Sequence, residues 1–201
     1  MSNLIISSMS NKEAIEKLNE LFPYIREYQR LASEACNIQD IFQDNGGKLL
    51  QMLLITGLTN LDESREGNDA IDKNGVEYEL KSVNVKLTKS FSTNHHLNHK
   101  ILSKYRKADW AFAVYEDIEL KEIYVMTPEM LEPYFKKWED VINEELEKDD
   151  KYKGINNPKI PLTFVSTNGI CIYKSSDDGK FKFADISERI EVRDDNPEGL
   201  F

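Results

Sequence analysis

Charged and apolar residues alternate in Val76-Glu77-Tyr78-Glu79-Leu80-Lys81. The stretch predicts a β-strand with Val76, Tyr78 and Leu80 on one face and Glu77, Glu79 and Lys81 on the other. Just upstream, Asn74-Gly75 is a strong turn signal, so residues 69–81 read as a hairpin. Its register decides which side chains meet. A two-residue loop at Asn74-Gly75 pairs Asp69 with Leu80 and turns the Asp69 carboxylate away from Glu79. A three-residue loop, Lys73-Asn74-Gly75 with Gly75 left-handed, sets Asp69 opposite Glu79. A bend at Gly67-Asn68 is a second way to bring the two carboxylates together.

Elsewhere the pattern is mixed helix and strand. Leu18, Leu21, Phe22, Ile25, Tyr28 and Leu31 follow helical spacing behind a capping box at Ser10-Asn11-Lys12-Glu13, and Pro23 is expected to kink or restart the helix. That stripe serves either core packing or a dimer interface. Residues 39–56 read as a second helical stretch interrupted around Gly46-Gly47. Residues 110–115 and 123–126 read as strands, and Thr127-Pro128-Glu129 opens a helix. Near the end, Lys180-Phe181-Lys182-Phe183 alternates after an Asp177-Asp178-Gly179 turn, which predicts a packed hairpin with a mobile end after Asp194. The expected class is α/β, with a mixed central β-sheet flanked by helices.

Composition agrees with one compact domain: 201 residues at 40% hydrophobic content can bury a real core. Cys36 and Cys171 have no metal or redox spacing, which suits a reducing cytoplasm, and no apolar run approaches membrane-spanning length. With 26 Lys+Arg against 36 Asp+Glu, the formal net charge of -10 argues against non-specific coating of nucleic acid. The average hides a basic window. Residues 81–107 contain no Asp or Glu but hold Lys81, Lys86, Lys89, Lys100, Lys104, Arg106, Lys107 and all 3 histidines. Acid gathers instead in residues 139–150 and 177–198, a distribution that fits a basic groove on an acidic body.

The hairpin carries the candidate chemistry. Asp69, Glu79 and Lys81 form D-x9-E-x-K, two hard oxygen ligands and one ammonium. Carboxylates suit Mg²⁺, which keeps several waters and shares its remaining positions with phosphate oxygens. Such a cation lowers the pKa of its water and offsets charge on the phosphate, while a lysine stabilises the attacking hydroxide. A solvated strand face is the alternative use of this spacing. Within the basic window, Ser90-Phe91-Ser92-Thr93-Asn94-His95-His96-Leu97-Asn98 concentrates hydroxyl, amide and imidazole groups able to donate to purine edges in a major groove. Asn156-Asn157-Pro158-Lys159 adds amides suited to adenine; its other reading is an ordinary turn. His95 and His99 at i, i+4 lack the third ligand that a metal pair needs.

Several blocks together resemble the PvuII-like type II restriction endonucleases of the PD-D/ExK nuclease superfamily. They are Asp40-Ile-Phe-Gln-Asp-Asn-Gly-Gly-Lys-Leu-Leu-Gln51, Leu54-Ile-Thr-Gly-Leu-Thr59, Arg65-Glu-Gly-Asn-Asp-Ala70, Glu77-Tyr-Glu-Leu-Lys-Ser82, Leu87-Thr-Lys89, Phe91-Ser-Thr93, Lys104-Tyr-Arg106 and Ile155-Asn-Asn-Pro-Lys-Ile-Pro161. The resemblance runs in order from about Leu18 to Tyr173. It implies a restriction-endonuclease-like fold, a homodimer, Mg²⁺ dependence and blunt cleavage in the middle of the palindrome CAGCTG in double-stranded DNA. It also implies pairing with a cognate DNA methyltransferase in a prokaryotic cytoplasm. By position it makes Asp69, Glu79 and Lys81 the catalytic trio, Asp69 and Glu79 the metal ligands, and Tyr105 an accessory residue near the metal. Ser92, His95, His96, Asn156 and Asn157 are expected to read the major groove, and Asp44 to approach from the minor-groove side. Asn94 stands where the family has the first of three histidines. The expected organisation is residues 1–173 as the catalytic and recognition domain, with an N-terminal helical dimerisation segment, followed by an acidic extension, 174–201. A shape-recognising repair-type nuclease and a non-catalytic DNA-binding scaffold are the alternatives.

Overall fold

The computed structural model describes residues 11–43, 45–61, 68–176 and 178–188, apart from the side chains of Asn11, Lys12 and Ala14. Among these the elements are α1 (Asn11–Cys36), α2 (Gly46–Thr56), β1 (Thr59–Asn60), β2 (Ala70–Ile71), β3 (Glu77–Asn84), β4 (Ser90–Ser92), α3 (His99–Tyr105), β5 (Asp109–Glu116), β6 (Glu119–Met126), α4 (Pro128–Lys148), β7 (Lys159–Pro161), α5 (Leu162–Asn168) and β8 (Ile170–Lys174). The chain divides into two compact units, with the boundary between Gly47 and Lys48 inside the first turn of α2.

In the first unit α1 runs unbroken with Pro23 inside it, so the expected restart does not occur. One missing N–H donor is tolerated where the flanking turns hold the helix. Ser10 of the predicted capping box lies outside the described residues. The predicted second helix is also corrected: residues 39–43 and 45 are not helical, and α2 begins at Gly46, where an interruption was expected. Local bonding explains this. The Gln29 side chain holds the loop by donating to Ile38 O (3.1 Å) and accepting from Ile41 N (2.9 Å). The Gly46 and Gly47 amides fold back onto Gln43 O and Ile41 O, at 2.7 and 2.8 Å. On α1, Leu18, Leu21, Phe22 and Leu31 stay more than two-fifths exposed.

The second unit is built on a mixed six-stranded sheet in the order β1-β2-β3-β5-β6-β8. Only β3 and β5 pair in parallel; the other pairs are antiparallel. Along β5, Trp110, Phe112 and Val114 alternate with Ala111, Ala113 and Tyr115. The first set joins Tyr105 of α3, Phe135 and Trp138 of α4 and Val165 of α5 in one buried cluster. Each such large apolar side chain contributes about 1.5–3 kcal/mol on burial. Tyr115 points the other way and donates to Lys48 O of α2 at 2.6 Å. Thr127 stands at the N-cap of α4 with Pro128 at its start, as the Thr-Pro-Glu signal predicts.

Beyond β8 the expected hairpin is absent among the described residues: 175–176 and 178–188 form no strand. The alternation of residues 180–183 does not produce strand pairing, because the backbone that follows bonds to a helix end instead. Ala184 N donates to Ile55 O (2.8 Å) and Ile186 N to Thr56 O (3.1 Å). Ile186 and Ser187 are buried, while Phe181 and Phe183 are exposed. The end after Asp194 lies outside the described residues.

Candidate active site and nucleic-acid interface

The hairpin register is the three-residue one. Ala70 pairs with Tyr78 and Ile71 with Glu77. Asp72 N donates to Val76 O (3.0 Å), leaving Lys73-Asn74-Gly75 as the loop. The Asp72 carboxylate accepts from Asn74 N and Val76 N at 2.8 and 2.9 Å, and Gly75 takes φ +87°, a left-handed conformation that favours glycine. Asp69 therefore falls opposite Glu79. Its amide donates to Tyr78 O (3.0 Å), its carbonyl accepts from Leu61 N (3.0 Å), and its Oδ2 accepts from Leu80 N (2.8 Å). One carboxylate oxygen is thus fixed by the strand that carries Glu79, and Asp69 itself remains exposed.

Glu79 and Lys81 share the face of β3 that also carries Val83 of the aromatic cluster. Because β3 lies between β2 and β5, this is no solvated strand face: Glu79 is 8% exposed. Lys81 Nζ donates to Glu79 Oε1 at 2.5 Å and lies 5.8 Å from the centre of the Trp110 ring. Burial pushes the Glu79 carboxyl above its usual range; Asp69 adds to the shift, while Lys81 opposes it. Tyr105, at the end of α3, reaches the same place. Burial first, then the charges of Glu79 and Asp69, raise its hydroxyl far above the ordinary tyrosine range. The Asn94 amide favours the phenolate without completing a hydrogen bond, and the hydroxyl is buried without a partner among the described residues.

The donor set fits a hard dication. Asp69 and Glu79 present adjoining carboxylates, one exposed and one buried, and a cation would relieve the burial and like-charge costs that raise Glu79. Among the described residues no third acidic or imidazole group joins them, so remaining positions would fall to water or phosphate.

The two candidate recognition segments meet. β4 pairs antiparallel with β7, aligning Ser92 with Lys159, and a bridge joins Leu97 to Ile155 through two bonds of 2.8 Å. His95 Nδ1 lies 3.2 Å from Asn156 Oδ1. Ser92, His95, His96 and Asn156 are exposed on this ribbon; Asn157 is half-buried, with its Oδ1 buried and unpartnered. His96 and Asn157 both take positive φ, 57° and 50°. The ribbon closes at Gly154, where φ is +116° and an added Cβ would lie 2.7 Å from Leu97 C and 2.8 Å from His96 O.

Other residues of the basic window do structural work. Asn98 is the N-cap of α3, its Oδ1 accepting from Ile101 N at 3.1 Å. Thr93 Oγ1 donates to Pro158 O at 2.9 Å. Arg106 forks onto Glu132 and Glu139 of α4, and Lys86 pairs with Asp117, so neither charge belongs to an open basic groove. Asp44 lies outside the described residues. The structure adds two features missed in the sequence reading: the Lys81–Trp110 contact and the Lys73–Asp185 ion pair (2.8 Å). For the second, the only hint was the acidic composition of the extension.

Compared with protein-family models, the chain matches the one described as restriction endonuclease PvuII over residues 13–173. The match covers the whole sheet except Lys174, the last residue of β8, and stops before the segment that folds onto α2.

Proposed function

Given that this chain belongs to the PvuII restriction endonuclease family, and is a type II site-specific deoxyribonuclease with DNA as its partner, we propose a specific activity for it. It cuts both strands of the palindrome CAGCTG at the centre, leaving blunt ends, with Mg²⁺ as cofactor. The observation that carries this reading is the hairpin register, which sets Asp69 opposite Glu79 with Lys81 beside it.

Asp69 and Glu79 would hold the cation. When bound, Mg²⁺ supplies counter-charge to the phosphate and lowers the pKa of a coordinated water. Lys81, positioned by Glu79 and the Trp110 ring, steers the attacking water and stabilises its anionic form. Tyr105 stays protonated in its buried position, so its hydroxyl is available as a donor to a bound group and does not act as a base. Ser92, His95, His96, Asn156 and Asn157 read base edges from the ribbon, and Asp44 approaches the minor groove. Asn94 replaces one imidazole there, so a supporting contact changes while the paired amides and His95-His96 are kept.

A palindrome calls for two-fold symmetry, with one active site per strand. The exposed stripe of Leu18, Leu21, Phe22 and Leu31 on α1 supports a homodimer. A cell making this enzyme must protect its own DNA, which implies a cognate methyltransferase in a prokaryotic cytoplasm. Digesting plasmid of known sequence with purified protein and Mg²⁺ tests the proposal. Discrete bands with blunt ends at CAGCTG are expected. Structure-dependent nicks would favour a shape-recognising nuclease, no cleavage a binding scaffold, and bands at another sequence would overturn the specificity.

A further inference from the structure

The extension beyond Lys174 crosses the part of the molecule that carries Asp69. β2 is only two residues long, and its outer neighbour β1 is a two-residue edge strand. Strands this short hold their position weakly on their own. Residues on both sides of β2 in the chain are tied to one outside segment. On the N-terminal side, α2 leads into β1, and its last carbonyls, Ile55 O and Thr56 O, accept from Ala184 N and Ile186 N at 2.8 and 3.1 Å. On the C-terminal side, Lys73, the first residue of the hairpin loop, donates to Asp185 Oδ2 at 2.8 Å.

The segment is itself fixed. Asp185 Oδ1 accepts from Ser187 N at 3.0 Å and from the Ser187 hydroxyl, and the Asp185 side chain is 15% exposed. Ile186 and Ser187 are each 1% exposed. The Lys73 side chain is 59% exposed, and exposed pairs contribute little, so the buried Ile186 is the stronger anchor of the two. The family match ends at Tyr173, so residues 184–187 lie outside it.

We propose that residues 184–187 act as a strap that positions Asp69 for catalysis, with Ile186 as its anchor and the Lys73–Asp185 pair as its link to the catalytic hairpin. The strap is a positioning element. It works through β2, holding the Asp69 carboxylate against Leu80 N and in range of Glu79. The proposal rests on Asp69 and Glu79 being the metal ligands.

The test uses the full chain with Ile186→Asp, Lys73→Asp, Asp185→Lys and the double charge swap, with Asp69→Ala as a control. Each protein is compared for single-turnover cleavage at saturating cognate DNA, for its Mg²⁺ midpoint, for cognate DNA affinity in chelator and for Tm. Displacement of a reacting group by about 1 Å costs up to about 100-fold in rate. Ile186→Asp is therefore expected to cut at least about tenfold more slowly and to need several-fold more Mg²⁺, with DNA affinity within about twofold of wild type. The single charge variants shift rate and midpoint the same way but less, and the double swap recovers the loss of Lys73→Asp while keeping the part of the Asp185→Lys loss that comes from the Ser187 bonds. Should Ile186→Asp fail to fold, the charge series alone decides. Wild-type cleavage and Mg²⁺ dependence in the single charge variants, even with lowered Tm, would reduce the strap to a stabilising element and overturn the proposal. Cleavage by Asp69→Ala would instead overturn the assignment of the site, so the two failures are distinct.

Discussion

Gly154→Ala perturbs the ribbon without touching any proposed base-reading side chain. At φ +116° a residue with a Cβ is strained, and that Cβ would lie 2.7 Å from Leu97 C, 2.8 Å from His96 O and closer still to Leu97 O. Backbone cannot rotate aside as a side chain would, so the two strands must separate. Forcing an ordinary residue into such a backbone region costs of order 1–3 kcal/mol. The Leu97–Ile155 bridge, with two bonds of 2.8 Å, sits on the clash and opens with it. Each of those bonds contributes about 1 kcal/mol net. A total loss of about 3–5 kcal/mol, at about 2–4 °C per kcal/mol for a chain of this size, lowers Tm by roughly 6–20 °C.

The functional effect should exceed the stability effect. His95 and Asn156 lie on the two sides of the ribbon, 61 positions apart in sequence and 3.2 Å apart in space. Splaying the strands moves Asn156 and Asn157 away from His95 and His96, so one half of the readout is lost at temperatures where the protein is still folded. Fluorescence anisotropy on cognate and scrambled duplexes at 10 °C, in chelator, is the direct assay. We expect cognate affinity to fall by at least about tenfold, the equivalent of one good base contact, with scrambled-duplex affinity unchanged. Wild-type discrimination in a variant whose melting has dropped as expected would refute the view that the ribbon is a single recognition unit.

Three further outcomes follow from the site. Asp69→Ala or Lys81→Ala is expected to abolish cleavage while leaving sequence-specific binding, and removing the Asp69 anion should tighten binding by relieving repulsion of the phosphate; cleavage at the wild-type rate under Mg²⁺ would disprove the assignment. His95→Ala or Asn157→Ala should weaken cognate binding by roughly tenfold or more while non-specific affinity, set by phosphates, changes little; equal losses on both duplexes would make them backbone contacts. Glu79 is held above the ordinary carboxylate range, chiefly by burial, so the folded chain keeps this proton to higher pH than the unfolded one. Its contribution to stability is complete below the unfolded pKa and is lost as pH rises through the folded one. In chelator, Tm should therefore fall across that window in the wild type and less in Glu79→Gln, and an unchanged pH profile in the variant would exclude Glu79 as the source.

The strand at residues 77–81 was legible because alternation is a local property, and the structure follows it face by face. The hairpin register was not fixed by sequence, since Asn74-Gly75 is compatible with both loop lengths; the Asp72 side chain, bonded to Asn74 N and Val76 N, selects the longer one. Nor was the burial of Glu79 legible. It depends on β5 pairing in parallel from 31 residues downstream, Glu79 opposite Trp110, a long-range choice with no local signature. Chemical type also misled in the basic window, where Asn98 caps a helix, Thr93 closes the ribbon and Arg106 binds two glutamates. Polar residues suited to bases are equally suited to backbone. Only the resemblance in sequence blocks separated His95, His96, Asn156 and Asn157 from their neighbours, and the ribbon supplies the geometry that local pattern lacks. At residues 180–183 an alternating pattern formed no strand, because the chain beyond it bonds to the end of α2.

The internal use of Lys86 and Arg106 bears on how a chain of net charge -10 handles DNA. With those cations neutralised by Asp117, Glu132 and Glu139, fewer charges are left to contact phosphates than the sequence of the basic window suggests. Phosphate contacts dominate non-specific affinity and carry no sequence information, whereas base-edge contacts supply discrimination. The proposed readers are a serine, two histidines and two asparagines, with no lysine or arginine among them. On the proposed reading, an acidic body and a sparingly charged ribbon depress binding to random sequence and leave the base-edge term intact. The ratio between the two, not the absolute affinity, governs how well an endonuclease finds its palindrome among competing sites. On the same reading, the buried Glu79 extends this logic to chemistry: a carboxylate that is costly to ionise without a cation would become an effective ligand once metal and phosphate arrived together.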